Sequence, residues 1–124
     1  MKQTAKTTER DAEWSPVCDR SQLLENAGVA ALVNGEQIAL FLVVDSEDQL
    51  FALGNYDPIG KANVISRGIV GDINGEHVVA SPLYKQHFRL SDGQCVEHEE
   101  IALPCYETQI LDNRVWIRQR EAQR

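Results

Sequence analysis

At 124 residues the chain is long enough for one domain with a modest core. Its 43% hydrophobic and 25% charged content is that of a globular protein, and no run approaches the ~20 apolar residues that a membrane-spanning helix needs. The net charge of −7 is unevenly spread: residues 1–10 and 118–124 each carry +2, so residues 11–117 carry −11. A body this acidic repels phosphate backbones, which argues against nucleic-acid binding.

The opening MKQTAKTTER is polar and lacks the apolar middle of a secretory signal. The cytoplasm is therefore the expected compartment, with residues 1–12 as a flexible, solvated tail. EWSPVCDRSQLLENAG reads as an opening strand and a short helical turn, with Ser21 placed to cap the turn and the Gly28 region to end it. VAALV and QIALFLVV are apolar runs joined around Asn34-Gly35. Asn-Gly tolerates the positive φ of a tight turn, so the pair predicts a β-hairpin. The longest apolar block, IALFLVV, fits a buried strand; DSEDQ is a polar turn and LFALG a third strand.

Residues 55–75, interrupted by Pro58, Gly60, Gly68, Gly71 and Gly75, read as a long irregular loop. A loop of that length in a small domain usually has a binding role. Asn74-Gly75 then turns the chain into EHVVAS, KQHFRL is another strand, SDG a turn and QCVE a short strand. YETQIL and RVWIR form a closing hairpin with Asp112-Asn113 at its tip, Val115 and Ile117 facing one way and Trp116 the other. Residues 119–124 form the second flexible tail. No internal repeat or low-complexity block stands out. Short, closely spaced strands with almost no helical period predict an all-β domain over 13–118, built of small antiparallel sheets or a barrel with one short helical turn near its start.

Residues that carry chemistry are sparse. His77, His87 and His98 are the only histidines, and Cys95-Val96-Glu97-His98 has the spacing of a two-ligand corner. A zinc or iron–sulfur site takes about four protein ligands, and neither Cys18 nor Cys105 adds one nearby. Three cysteines at irregular spacing suggest no disulfide framework, and each reads as a small apolar residue. Neither the G-x-S-x-G nucleophile elbow nor the G-x-x-x-x-G-K-[ST] phosphate loop is present. EHEE at 97–100 reads as solvated charge. No catalytic residue and no metal ligand is expected in this chain.

VVASPLYKQHFRLSDGQC resembles the second cluster-binding segment of Rieske (ISP-type) iron–sulfur domains. In that family a strand leads into Cys-Pro-x-His, then a strand with an aromatic, then a turn ending in Gly and often Cys. Here Ser81-Pro82-Leu83-Tyr84 stands in the place of Cys-Pro-x-His, with Phe88, Leu90, Gly93 and Cys95 at the later positions. Upstream, Asn55-Tyr56-Asp57 sits where the family has Cys-x-His. The resemblance runs from about Trp14 to Arg118 and implies a Rieske-like all-β fold. It also implies that Asn55, Asp57, Ser81 and Tyr84 are vestigial ligand positions. A Rieske centre needs two thiolates on one iron and two imidazoles on the other, whereas these side chains offer amide, hydroxyl, phenol and carboxyl oxygens. No cluster, and no electron transfer through this chain, is expected.

A narrower resemblance rests on Asn55-x-Asp57-Pro58, Ile65-Ser66-Arg67-Gly68 and Ala80-Ser81-Pro82-Leu83, followed by Lys85 and Phe88-x-Leu90. In this order the motifs are similar to those of the small subunits of assimilatory NAD(P)H-dependent nitrite reductases. The resemblance implies a partner: a large subunit holding FAD, siroheme and an iron–sulfur cluster, in an enzyme that reduces nitrite to ammonium. Loops 55–68 and 81–87 then become the expected docking surface, with Tyr56, Ile59, Arg67, Leu83, Tyr84, Lys85 and His87 as contacts. A Rieske-type ferredoxin serving an oxygenase and a stand-alone protein-binding module are the competing readings.

Overall fold

The computed structural model describes residues 13–45 and 47–120. The first four strands are β1 (Ser15–Asp19), β2 (Gly28–Val33), β3 (Glu36–Val44) and β4 (Asp48–Gly54). A small hairpin follows, β5 (Tyr56–Asp57) with β6 (Ala62–Asn63). Next come β7 (Ile69–Ile73), β8 (Glu76–Ala80) and β9 (His87–Arg89), and the chain closes with β10 (Cys105–Leu111) and β11 (Arg114–Gln119). The six longer-range strands form one sheet in the order β1-β11-β10-β4-β3-β2, while β7-β8-β9 form a second. The edge strands β1 and β2 come together so that the six-stranded sheet nearly closes, and Asn34 Nδ2 donates to Ser15 Oγ across the seam at 3.2 Å.

The apolar run of β3 is continuous because both of its faces are covered. Ile38, Leu40 and Leu42 point into the barrel with Leu23, Ala52, Val115 and Ile117. Ala39, Phe41 and Val43 point the other way, onto Leu53, Ile65, Val79, Phe88 and Leu90 of the second core. Side chains alternate along a strand, so one strand serves two cores. Fully burying each Leu, Ile or Phe on it contributes about 1.5–3 kcal/mol relative to exposure.

The three tight turns fall where the sequence places them. Asn34 and Gly35, Asn74 and Gly75, and Asp112 and Asn113 all have positive φ, as a two-residue hairpin turn requires. Val115 and Ile117 are buried and Trp116 is half-buried, as the alternation predicts.

Several local expectations are corrected. The first 3-10 turn is Arg20–Gln22, with Asp19 rather than Ser21 at its N-cap; Gln22 Oε1 accepts from the Asp19 N–H at 2.9 Å, and the turn ends at Leu23. Residues 55–75 are not one loop, because β5, β6, a second 3-10 turn (Ile65–Arg67) and β7 lie within them. QCVE makes isolated bridges, Cys95 with Phe88 and Gln94 with Ala102, instead of a strand. KQHFRL shortens to three strand residues, since Lys85 turns with φ 64°. Residues 1–12 and 121–124 lie outside the described residues; of the second expected tail, Gln119 ends β11 and Arg120 donates to the Ser91 carbonyl.

Candidate functional site

Strands β4 and β8 deliver the two loops to the same place. Asn55 follows β4 directly and Ser81 follows β8 directly. Asn55 is 2% exposed and fully engaged. Its Nδ2 donates to Gln37 Oε1 at 3.0 Å, and its Oδ1 accepts the Ser66 N–H at 2.7 Å. Its backbone bonds the Gln37 carbonyl and the Ile65 N–H. One amide side chain thus ties β3 to the 3-10 turn that carries Arg67. At Gly68 the backbone runs so close to β8 that a Cβ would lie 2.3 Å from the Ala80 carbonyl oxygen, so glycine is required there.

Asp57 and Ser81 join the loops. Both are buried, and Ser81 Oγ donates to Asp57 Oδ2 at 2.5 Å. The other carboxyl oxygen accepts the N–H groups of Ile59 at 2.8 Å and Gly60 at 3.0 Å. Beside this bond Leu83 packs onto Gly60 so tightly that a Cβ there would meet Leu83 Cδ1 at 2.4 Å. The two loops are built alike. In Asp57-Pro58-Ile59-Gly60-Lys61 the Lys61 N–H bonds the Asp57 carbonyl, and in Ser81-Pro82-Leu83-Tyr84-Lys85 the Lys85 N–H bonds the Ser81 carbonyl. In each, the side-chain oxygen of the first residue also accepts from the N–H two residues on, Ile59 at 2.8 Å and Leu83 at 3.4 Å.

Of the four vestigial positions, Asn55, Asp57 and Ser81 come together in the interior, while Tyr84 is 64% exposed. Among the expected contacts, Tyr56, Arg67, Leu83, Tyr84 and Lys85 are exposed around this end. Ile59 is partly buried against the second core. His87 is half-buried and held by Glu97, through Nδ1 to Oε2 at 2.6 Å and its backbone N–H to Oε1 at 2.8 Å. Burial alone would raise the Glu97 carboxyl, but the hydrogen bonds from His87 outweigh it and hold it below the usual range. Lys61 was not among the expected contacts, although the shared five-residue spacing of the two loops would have pointed to it.

The donor set at the loop ends does not fit a two-iron cluster. Asp57 and Ser81 use their polar atoms on each other and on the loop backbone, and Asn55 uses its own on Gln37 and Ser66. Among the described residues no three His, Cys, Asp or Glu side chains converge as metal ligands. The thiols are not activated either: burial first of all pushes Cys18, Cys95 and Cys105 up from the usual thiol value. What this end offers is an exposed surface on loops held together by hydrogen bonds. An open groove of about 360 Å³ adjoins it, lined by Tyr56, Pro58, Pro104 and Tyr106 among others.

A family model described as a Rieske-like [2Fe-2S] domain matches residues 13–118. The small subunit of NADH nitrite reductase from Salmonella typhimurium is 44% identical over 107 residues, which span 86% of this chain and 98% of that one. The chain belongs to the Rieske-like domain family, among its nitrite reductase small subunits. A solved structure from Mycobacterium tuberculosis, assigned as an NADH-dependent nitrite reductase small subunit, superposes with a TM-score of 0.81 at 35% identity, covering 90% of this chain and 98% of that one. In Klebsiella oxytoca a nitrite reductase [NAD(P)H] large subunit contains a segment 40% identical over 104 residues, 84% of this chain but 11% of that protein. The family resemblance and the all-β Rieske-like fold expected from the sequence are both borne out.

Proposed function

We propose that this chain is the small, non-redox subunit of a cytoplasmic NAD(P)H-dependent nitrite reductase, and that it acts by docking its loop end on the large subunit. The large subunit, with FAD, siroheme and an iron–sulfur cluster, carries electrons from nicotinamide to nitrite, because those cofactors perform that chemistry. This chain supplies shape and contacts. The observation that carries the reading is the Asp57–Ser81 bond: it joins the two loops with side chains alone and leaves Tyr56, Leu83 and Tyr84 exposed by 48%, 44% and 64%. Aromatic side chains and arginine are favoured anchors of interfaces, and Arg67 is exposed on the same pair of loops. The Klebsiella protein supports the pairing, since there a segment like this chain is part of a large subunit.

The ferredoxin reading requires thiolate and imidazole donors that the positions of Asn55, Asp57, Ser81 and Tyr84 do not supply. The stand-alone module is disfavoured by small-subunit relatives matched over 98% of their length. The test is the double substitution Arg67→Ala/Tyr84→Ala, followed by co-purification with the large subunit and nitrite-dependent oxidation of NAD(P)H. Loss of co-purification, with the variant still folded, is the expected result. Undiminished assembly and activity would reject the docking face.

A further inference from the structure

The charges of this chain are segregated. Loops 55–68 and 81–87 carry three cations, Lys61, Arg67 and Lys85, and one acid, Asp57, which is buried. All three cations are exposed, and among the described residues none lies within ion-pair distance of a carboxylate. The other described cations are engaged: Arg20 with Asp48, Arg89 with Asp92, Arg114 with Asp19, Arg118 with Glu107, and Arg120 with the Ser91 carbonyl. Among the described residues, the cations engaged by neither a carboxylate nor a carbonyl thus all lie on these two loops.

The two lysines sit on unusual backbone. Lys61 has φ 62° and Lys85 φ 64°, each closing its loop by the N–H bond to residue 57 or 81. A left-handed conformation carries a steric cost for lysine that glycine would avoid. Loop closure needs only the backbone N–H, so the lysine side chains add nothing to the turn itself. Departures of this kind point to a function for the side chain. Because Asp57 and Ser81 bond each other, both lysines flank one junction, with Leu83 and Tyr84 between them in the chain.

We infer that Lys61 and Lys85, with Arg67, form a cationic clamp that receives an acidic patch on the large subunit. This rests on the docking reading above and adds the chemistry of the surface to be met. Exposed Tyr56, Leu83 and Tyr84 beside the cations suit a protein surface, where apolar contact supplies adhesion and the charges supply orientation. The other described residues are net acidic and are repelled by the same patch, so approach by the loop end is favoured over approach by their faces.

The test measures the affinity of the full chain for the purified, cofactor-loaded large subunit at low and high salt. Lys61→Gly/Lys85→Gly is the key variant, because it removes charge while relieving the backbone. It is expected to melt at or above the parent temperature, to bind roughly tenfold more weakly, and to show a smaller salt dependence. Lys61→Arg/Lys85→Arg keeps the charge and is expected to retain the affinity. An unchanged or tighter Kd for the glycine variant overturns the clamp. If Leu83→Ala/Tyr84→Ala, which removes no charge, still weakens binding in that case, the docking face stands and only the acidic partner surface falls. If neither pair has an effect, both fall.

Discussion

The bond between Asp57 and Ser81 makes a graded prediction. Asp57→Ala leaves the Ser81 hydroxyl and the N–H groups of Ile59 and Gly60 without their acceptor. An unmet buried polar group costs roughly 1–3 kcal/mol, and partial rehydration at the loops moderates the sum, so a loss of about 3–5 kcal/mol is expected. That is a large share of the ~5–15 kcal/mol that holds a typical domain together. Ser81→Ala removes one donor and strands a single carboxyl oxygen, for about 1–3 kcal/mol. Asp57→Asn keeps an oxygen for the two N–H groups and offers its amide N–H to Ser81 Oγ, so its cost is about 1 kcal/mol or less. Urea unfolding with an unchanged m-value measures the series. Hydrogen exchange adds a local readout: the Lys61 and Lys85 amides, bonded to the carbonyls of residues 57 and 81, should exchange faster in Ser81→Ala. Equal costs for Asp57→Asn and Asp57→Ala, or a cost below ~1 kcal/mol for Asp57→Ala, would refute the view that this bond joins the loops.

Two further outcomes are expected. Burial, and then the Glu36 carboxylate that accepts its hydroxyl at 3.1 Å, pushes the Tyr106 phenol up to about 12. The unfolded chain therefore releases this proton near pH 10 while the folded chain keeps it. Stability should fall as pH rises from 10 towards 12, and Glu36→Gln should shift the tyrosine absorbance titration of Tyr106 downwards. Iron and acid-labile sulfide analysis of the purified chain, after incubation with ferrous iron and sulfide, should give substoichiometric iron and no Rieske-type spectrum; a stoichiometric, histidine-type spectrum would contradict the mismatch of the donor set.

The hairpins were legible because their tips are chemically explicit. Asn-Gly at 34–35 and 74–75, and Asp112-Asn113, are residue pairs that accept positive φ, and all three adopt it. The buried strand was legible because two covered faces leave an uninterrupted apolar run in β3. β7 was hidden because IVGDI contains a glycine and an aspartate; only Val70 packs on the second core, and the register with β8 is fixed by Asn74-Gly75 rather than by β7 itself. Ser21 was misread as a cap because Asp19, two residues earlier, satisfies the turn through Gln22. At the loop ends the replaced ligand positions could be read as positions, but not what replaces the metal. That is a bond between residues 24 apart in the chain, and no local pattern specifies its geometry. Lys85 was read as a contact and Lys61 was not, and the left-handed backbone of both escaped notice for a similar reason: positive φ at lysine contradicts its propensity, so only coordinates reveal it.

A junction made of a carboxyl and a hydroxyl is finished when the chain finishes folding. Where a Rieske domain that carries its cluster must wait for iron and sulfide before its fingertips set, the Asp57–Ser81 bond sets these two loops from the polypeptide's own groups. The relative placement of the two loops is thus a matter of folding, written in the chain itself.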